Sequence, residues 1–274
     1  MRKNRRALFL RTIVYVSALI TAAVLLFIVG YIIVKGVPHL SPHLFERKYT
    51  TENVSLVPAL VNTVYMIVLA LVIAVPAGTG SAIYLCEYAK RGSKLVEIVR
   101  VTSETLSGIP SIVYGLFGSI FFVKFCGMGK SLLAGALTLS IMILPLIMRT
   151  AEEAIIAVPD SYREGSFGLG AGKLRTIWKV VLPSAVTGIL SGVILGIGRI
   201  VGESAALIFT AGTVAEIAGS PFASARTLSV HMYVISGEGL YIDQTYATAT
   251  VLLVVVIVIN ALSGLIAGKL EGKK

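Results

Sequence analysis

The chain has 274 residues, of which 56% are hydrophobic and 14% charged, with a formal net charge of +10 and a mean hydropathy of +0.88. Soluble domains carry about a quarter charged residues, so a water-soluble globule built on one core is excluded. Apolar runs of ~20 residues or more are long enough to cross the hydrocarbon core as helices, which points to an integral membrane protein.

Six spans are predicted in chain order: Thr12–Val34, Pro58–Leu85, Ser107–Phe125, Ser131–Met148, Ser184–Ala211 and Ala247–Ala267. They must be helices, because lipid satisfies no backbone group and the runs are too long for barrel strands. The opening MRKNRR with Leu8–Val34 has the charge order of a signal peptide. Its apolar part is too long for one and no small-residue cleavage site follows, so a retained first helix is expected. Pro58 suits a first helical turn, and Pro76 is placed to kink the second span.

Orientation follows from the basic residues between spans. The N-terminus (Arg2, Lys3, Arg5, Arg6, Arg11), the 86–106 loop (Lys90, Arg91, Lys94, Arg100), the 149–183 loop (Arg149, Arg163, Lys173, Arg175, Lys179) and the tail (Lys269, Lys273, Lys274) share one side. The other side has far fewer: Lys35, Arg47, Lys48, Lys124, Lys130 and Arg226. Both termini are therefore expected inside. This asymmetry accounts for the basic charge without a nucleic-acid partner.

Residues 35–57 and 212–246 form the two long outer segments, the second with a short helix expected near the outer membrane surface in FASARTLSVHMYVI. His39 and His43 are separated by prolines that break a shared helix face, and an ordinary loop is expected there. His231 has no visible partner, and Cys86 and Cys126 fall near opposite membrane faces. No metal-ligand spacing, nucleophilic constellation or internal repeat emerges. GAGK at Gly170–Lys173 lacks the first glycine and the hydroxyl residue of a phosphate loop, and GMGKS at Gly127–Ser131 has Lys124 where that glycine belongs. ATP hydrolysis through a phosphate loop is not expected of this chain.

The inner segment EEAIIAVPDSYREGSFGLGAGKLRTIWKVVLP mixes charges, small residues and hydrophobes. Pro159 can start a short helix, with Asp160 and Glu164 favourable to its N-terminal dipole. GLGAG then ends it, and LRTIWKVVLP returns to the membrane with Trp178 as an interface anchor. A helix, a turn and a helix on the inner membrane face follow from these residues alone.

This segment resembles the inner loop of ABC importer permeases, whose pattern is EAA-x3-G-x9-I-x-LP. Glu164, Gly165 and Ser166 stand at EAA, Gly170 at the glycine, and Val180-Val181-Leu182-Pro183 at the end. Gly165 and Ser166 replace the alanines and Val180 the isoleucine. IYLCEYAKRG, LSGIPSIVYGLFG, PLIMRTAEEA and GRIVGESAALIFTAG resemble the A-type permeases of bacterial phosphate importers, over residues 56–268. There Ser204 replaces a threonine and Ala206 a proline.

The resemblance implies an all-α membrane protein with the type I ABC importer permease fold. Residues 1–55 would add a first helix and outer loop, 56–268 form the permease core, and 269–274 a cytoplasmic tail. It further implies a second permease subunit, two ATPase subunits, an extracytoplasmic phosphate-binding protein and inorganic phosphate as cargo, all in a lipid membrane. No cofactor is expected on this chain, ATP acting through the partner ATPase. Asp160, Arg163, Glu164, Gly165, Ser166 and Gly170 would couple to the ATPase. A C-type phosphate permease, a permease for sulfate or molybdate, and an ion-coupled secondary transporter are the competing readings.

Arg199 and Glu203 interrupt the fifth span. A charge at the bilayer centre costs roughly 2.5–3.5 kcal/mol on insertion scales, so neither is expected to face lipid. Helical spacing predicts one shared face for the pair, close to that of Gly188, Gly192 and Gly196. The chemistry leaves two readings open: a structural ion pair, or a polar point on an anion path. Arg suits phosphate through its planar, permanently charged fork. The resemblance favours the path, with Arg199, Glu203 and Ser204 on it.

Overall fold

The computed structural model describes residues 2–90 and 92–271; Arg91 and the tail residues Lys273 and Lys274 lie outside them. Every element among the described residues is helical. α1 (Arg2–Gly36) leads through two 3-10 turns to α2 (Val57–Ile83), which continues as a π-helical turn, Tyr84–Tyr88. α3 (Lys94–Ser107) and α4 (Ser111–Gly118) follow, α4 ending in a second π-helical stretch, Ser119–Phe125. α5 (Leu132–Ile156), α6 (Asp160–Gly168), α7 (Lys173–Thr176) with its π turn Ile177–Val181, and α8 (Leu182–Gly202) come next. α9 (Ala205–Thr210), α10 (Leu228–Glu238) and α11 (Ile242–Glu271) complete the order.

Among the described residues five helices are long and apolar enough to cross a membrane, and a sixth if α3 and α4 with its π stretch count as one bent span. The central one is α5, with 67% of its apolar stretch buried against 0% for α1. Its Met142, Ile143 and Ile147 pack with Met66 and Ala70 of α2, Ile200 of α8 and Leu207 of α9 in the main core. α2 is tied to α5 by the Ser140 hydroxyl, which donates to the Ala70 carbonyl at 3.0 Å. α2 begins with Pro58 in its first turn and runs through Pro76 without a break. α1 rests on α11, where Thr250 donates to the Ile32 carbonyl at 3.1 Å and Tyr31 meets Tyr246 edge-on.

Two sequence expectations are corrected. The 86–106 stretch holds the helix α3, which bends by 102° into the Ser111–Phe125 stretch. Pro110 forces this break, because the residue before a proline is held out of the helical region. The fifth span is also not one helix: α8 ends at Gly202, and Glu203 adopts extended angles (φ −78°, ψ 125°). The short helix expected in FASARTLSVHMYVI is α10, which starts there, runs on to Glu238 and packs into the bundle. Leu228, Ser229, Val230, His231 and Ile235 are buried, and the Leu228 N–H donates to the Thr63 hydroxyl of α2 at 2.9 Å.

Candidate functional site

At the end of the bundle that carries α6, a cleft of about 470 Å³ opens between α3, α5 and α8. Its charged lining is Arg100 and Glu104 from α3, Arg149, Glu152 and Glu153 from α5, and Arg199 from α8. Two of the three arginines are already matched. Arg100 Nε donates to Glu152 Oε1 at 2.8 Å, and its Nη2 also contacts that oxygen. Glu152 is buried, so this pair joins α3 firmly to α5. Arg149 Nε lies 3.1 Å from Glu153 Oε1, one turn along α5, with both side chains exposed. Exposed pairs of this kind contribute little, about 0.3–0.5 kcal/mol.

Arg199 has neither an ion-pair nor a hydrogen-bond partner among the described residues, and it is half-buried in the cleft wall. The glycine face beneath it is protein-facing. Gly192 lies against α5 so closely that a Cβ there would overlap the Thr150 side chain, and Gly188 abuts Ala154. This close approach sets α8 on α5 and brings Arg199 beside Pro145, Leu146 and Arg149.

Glu203 is not the partner of Arg199. The helical spacing predicted one shared face, but the chain leaves the helix at Gly202, and the buried Glu203 carboxylate accepts the Ala206 N–H at 3.0 Å. It thereby satisfies an orphan donor at the start of α9, the role of a helix cap. Its carbonyl accepts the Ser229 hydroxyl at 2.5 Å, fixing α10 to the same point. Ser204 is half-buried at the N-terminus of α9. Of the three residues expected on a path, Arg199 alone lines the cleft. Tyr114 of α4 is buried and donates to the Leu106 carbonyl at 2.7 Å.

The 149–183 segment forms α6 and α7 as a short hairpin. Pro159 precedes α6, Asp160 sits in its first turn, and Gly170 turns the chain at φ +82°. Asp160, Glu164, Gly165 and Gly170 are exposed. Ser166 is half-buried and shares a 2.9 Å hydrogen bond with Thr176 of α7. Arg163 faces inward and meets Glu87 at 3.0 Å. The hydrophobes of this segment carry no role in the coupling pattern, yet several of them stand exposed on the hairpin. Tyr162, Phe167 and Leu174 are exposed and Leu169 is 91% exposed at the tip. Their signal was there to read: hydrophobes at the positions of a polar loop that Arg163 leaves facing outward. Trp178, expected as an interface anchor, is exposed.

Comparison with known proteins places this geometry among transporters. Residues 74–273 match the model of the family described as binding-protein-dependent transport system inner membrane component. The chain is 34% identical over 261 residues to a probable ABC transporter permease protein of Bacillus subtilis, covering 89% of this chain and 88% of that one. It is 36% identical over 213 residues to a phosphate transport system permease protein of Yersinia pestis, covering 76% and 70%. A solved bacterial ABC transporter involved in importing the acidic polysaccharide alginate superposes with a TM-score of 0.67 at 16% identity, covering 94% of this chain and 95% of that one. That last likeness bears on the fold, which is the type I ABC importer permease fold.

Proposed function

The chain belongs to the family of binding-protein-dependent transport system inner membrane components, as a multi-pass membrane permease, and from that premise we propose that it conducts inorganic phosphate in an ATP-driven importer. The observation that carries the reading is Arg199, a guanidinium without an acid partner among the described residues, in an open cleft between helices. A permanently charged planar fork is suited to phosphate oxygens. The flanking Arg100–Glu152 and Arg149–Glu153 pairs keep the cleft from becoming a deep cationic trap that would hold a dianion too long. Relatives named as phosphate permeases support phosphate as the cargo.

In this reading the α6 end and both termini lie in the cytoplasm. A second permease of similar fold completes the path. One of the two ATPase subunits docks on the exposed hairpin surface of Tyr162, Phe167 and Leu169, whose exposure to water this docking relieves, and the other docks on the second permease. An extracytoplasmic phosphate-binding protein delivers cargo at the opposite end. ATP is hydrolysed in the ATPase partners and this chain catalyses no reaction of its own.

The test is reconstitution of all four components in liposomes, with phosphate uptake followed in the presence of ATP. Uptake that depends on ATP and on the binding protein, and that sulfate and molybdate fail to compete, supports the reading. Preferential uptake of another oxyanion reassigns the cargo. Uptake by this chain alone under an ion gradient replaces the reading with a secondary transporter.

A further inference from the structure

One side chain of the hairpin reaches far into the helical bundle. Arg163 of α6 reaches back with Nε 3.0 Å from Glu87 Oε1, in the π-helical turn that ends α2. Its Nη1 donates to the Val158 carbonyl at 2.7 Å and to Asp160 Oδ1 at 3.2 Å. Its Nη2 donates to the Ile155 carbonyl at 2.9 Å. Ile155 lies in the last turn of α5, its carbonyl also accepting the Val158 N–H at 3.3 Å, and Val158 lies just beyond it, at a helix end where a cation is favoured by the dipole. The Arg163 and Glu87 side chains are only 15% and 10% exposed. All of this sits over an apolar cluster of Leu85, Val96, Ile155, Val158 and Val181.

The return arm is tied to the same place. Lys173 of α7 stands with its ammonium 4.9 Å from the centre of the Tyr88 ring, one residue after Glu87. The Ser166–Thr176 hydrogen bond closes the two arms on each other. The turn Tyr84–Tyr88 therefore receives both arms of the hairpin, while the opposite surface of the hairpin is exposed. A push on that surface has a stiff route inward at this turn. It runs through a planar guanidinium whose donors are fixed in direction and are spread over the ends of two different spans.

We propose that Arg163 is a positioning residue that makes α6 move as one body with the ends of α2 and α5, so that displacement of the hairpin is delivered to both spans at once. This rests on the reading of the chain as an ATP-driven permease and gives that reading its line of transmission. Arg163 acts through Glu87 and the α5 carbonyls, and touches no cargo.

The test uses two readouts. In the first, amide hydrogen exchange is measured on the membrane-embedded chain, with no cargo or nucleotide. Arg163→Ala is expected to raise exchange in residues 84–88 and 160–168 together by roughly tenfold or more, as a nearly buried charge pair is broken. Arg163→Lys keeps the charge but loses the fork, and is expected to recover only part of the protection. Glu87→Gln leaves the α5 carbonyl bonds available and is expected to loosen residues 84–88 while the start of α6 stays protected. In the second readout, the assembled complex is assayed for ATP hydrolysis and uptake in parallel. Arg163→Ala is expected to keep most hydrolysis and lose roughly tenfold or more in cargo moved per ATP. Unchanged exchange in Arg163→Ala overturns the proposal, and so does a complex that still couples normally. A wild-type complex that moves no phosphate, with the exchange pattern as expected, overturns the phosphate reading and leaves the clamp standing.

Discussion

Glu203 turns its carboxylate onto the Ala206 N–H, 3.0 Å away, and leaves Arg199 without an acid partner among the described residues. Two charges that look like a pair in sequence thus do separate work, one capping a helix and one facing a cleft. Arg199→Gln is expected to lower phosphate uptake roughly ten- to a hundredfold, the worth of about one charge-assisted contact, while the complex still assembles and hydrolyses ATP. The double exchange Arg199→Glu with Glu203→Arg is expected to give no rescue, since it would place an Arg where a backbone N–H needs an acceptor. Uptake assays on reconstituted vesicles decide both points, and rescue by the exchange would return the pair to a plain ion-pair role.

The cap makes its own prediction about stability. Glu203→Ala removes the acceptor for Ala206 N–H at a buried position and is expected to cost about 0.5–2 kcal/mol. Glu203→Gln keeps an acceptor oxygen of the same reach and is expected to cost less. Thermal unfolding of the chain in detergent ranks the two; equal losses would show that the charge matters more than the hydrogen bond.

The spans were legible because lipid imposes long apolar runs, and α1, α2, α5 and α11 stand close to their predicted positions. α3 was not, since Lys94, Glu97, Arg100 and Glu104 make it look like solvated loop. Its inward face of Val96, Val99 and Leu106 was the signal available, spaced at helical intervals. Arg199 stood out as a lone charge in apolar surroundings. Its neighbours in the cleft did not, because Arg100 and Glu152 are 52 positions apart in the chain and only the packing of α3 on α5 joins them. The break at Gly202 was hidden for a related reason. Glu203 reads in sequence as the i+4 partner of Arg199 on one helix face, whereas in the fold its carboxylate takes a donor three residues ahead.

Gly170 separates backbone strain from docking. Its φ of +82° disfavours any L side chain, yet a Cβ there would meet nothing within 4 Å. Gly170→Ala is therefore expected to cost only the left-handed penalty of about 1–2 kcal/mol, and Gly170→Asn less. Gly170→Trp shares this backbone penalty and adds bulk at an exposed turn, where a covering partner would meet it. The expected result is near-normal membrane insertion for all three, with uptake and ATPase co-purification lost only in the Trp variant. A Trp variant no worse than Ala would show that this turn is not covered by the ATPase.

His231 gives the outer segment a dependence on pH. It is fully buried beside Arg226, itself stacked on the Tyr49 ring at 4.5 Å, and its own ring meets Tyr49 edge-on. Neither ring nitrogen makes a well-formed hydrogen bond. Burial first, and the Arg226 charge second, pull its pKa from 6.5 down to about 3, with only the Val54 backbone acting in the opposite direction. The folded form thus keeps His231 neutral where an unfolded chain would protonate it. Its contribution to stability is complete above pH 6.5 and is lost as pH falls from there toward 3. The slope is about 1.4 kcal/mol per pH unit for one proton, or roughly 2 kcal/mol between pH 6.5 and 5. Thermal unfolding in detergent, or hydrogen exchange of residues 228–238, should show this loss in the wild type. His231→Asn carries no titrating group and is expected to flatten that part of the profile, while the exposed His39 and His43 remain in both proteins as an internal control. An unchanged slope in His231→Asn would mean that the acid sensitivity arises at those exposed histidines or at carboxylates instead.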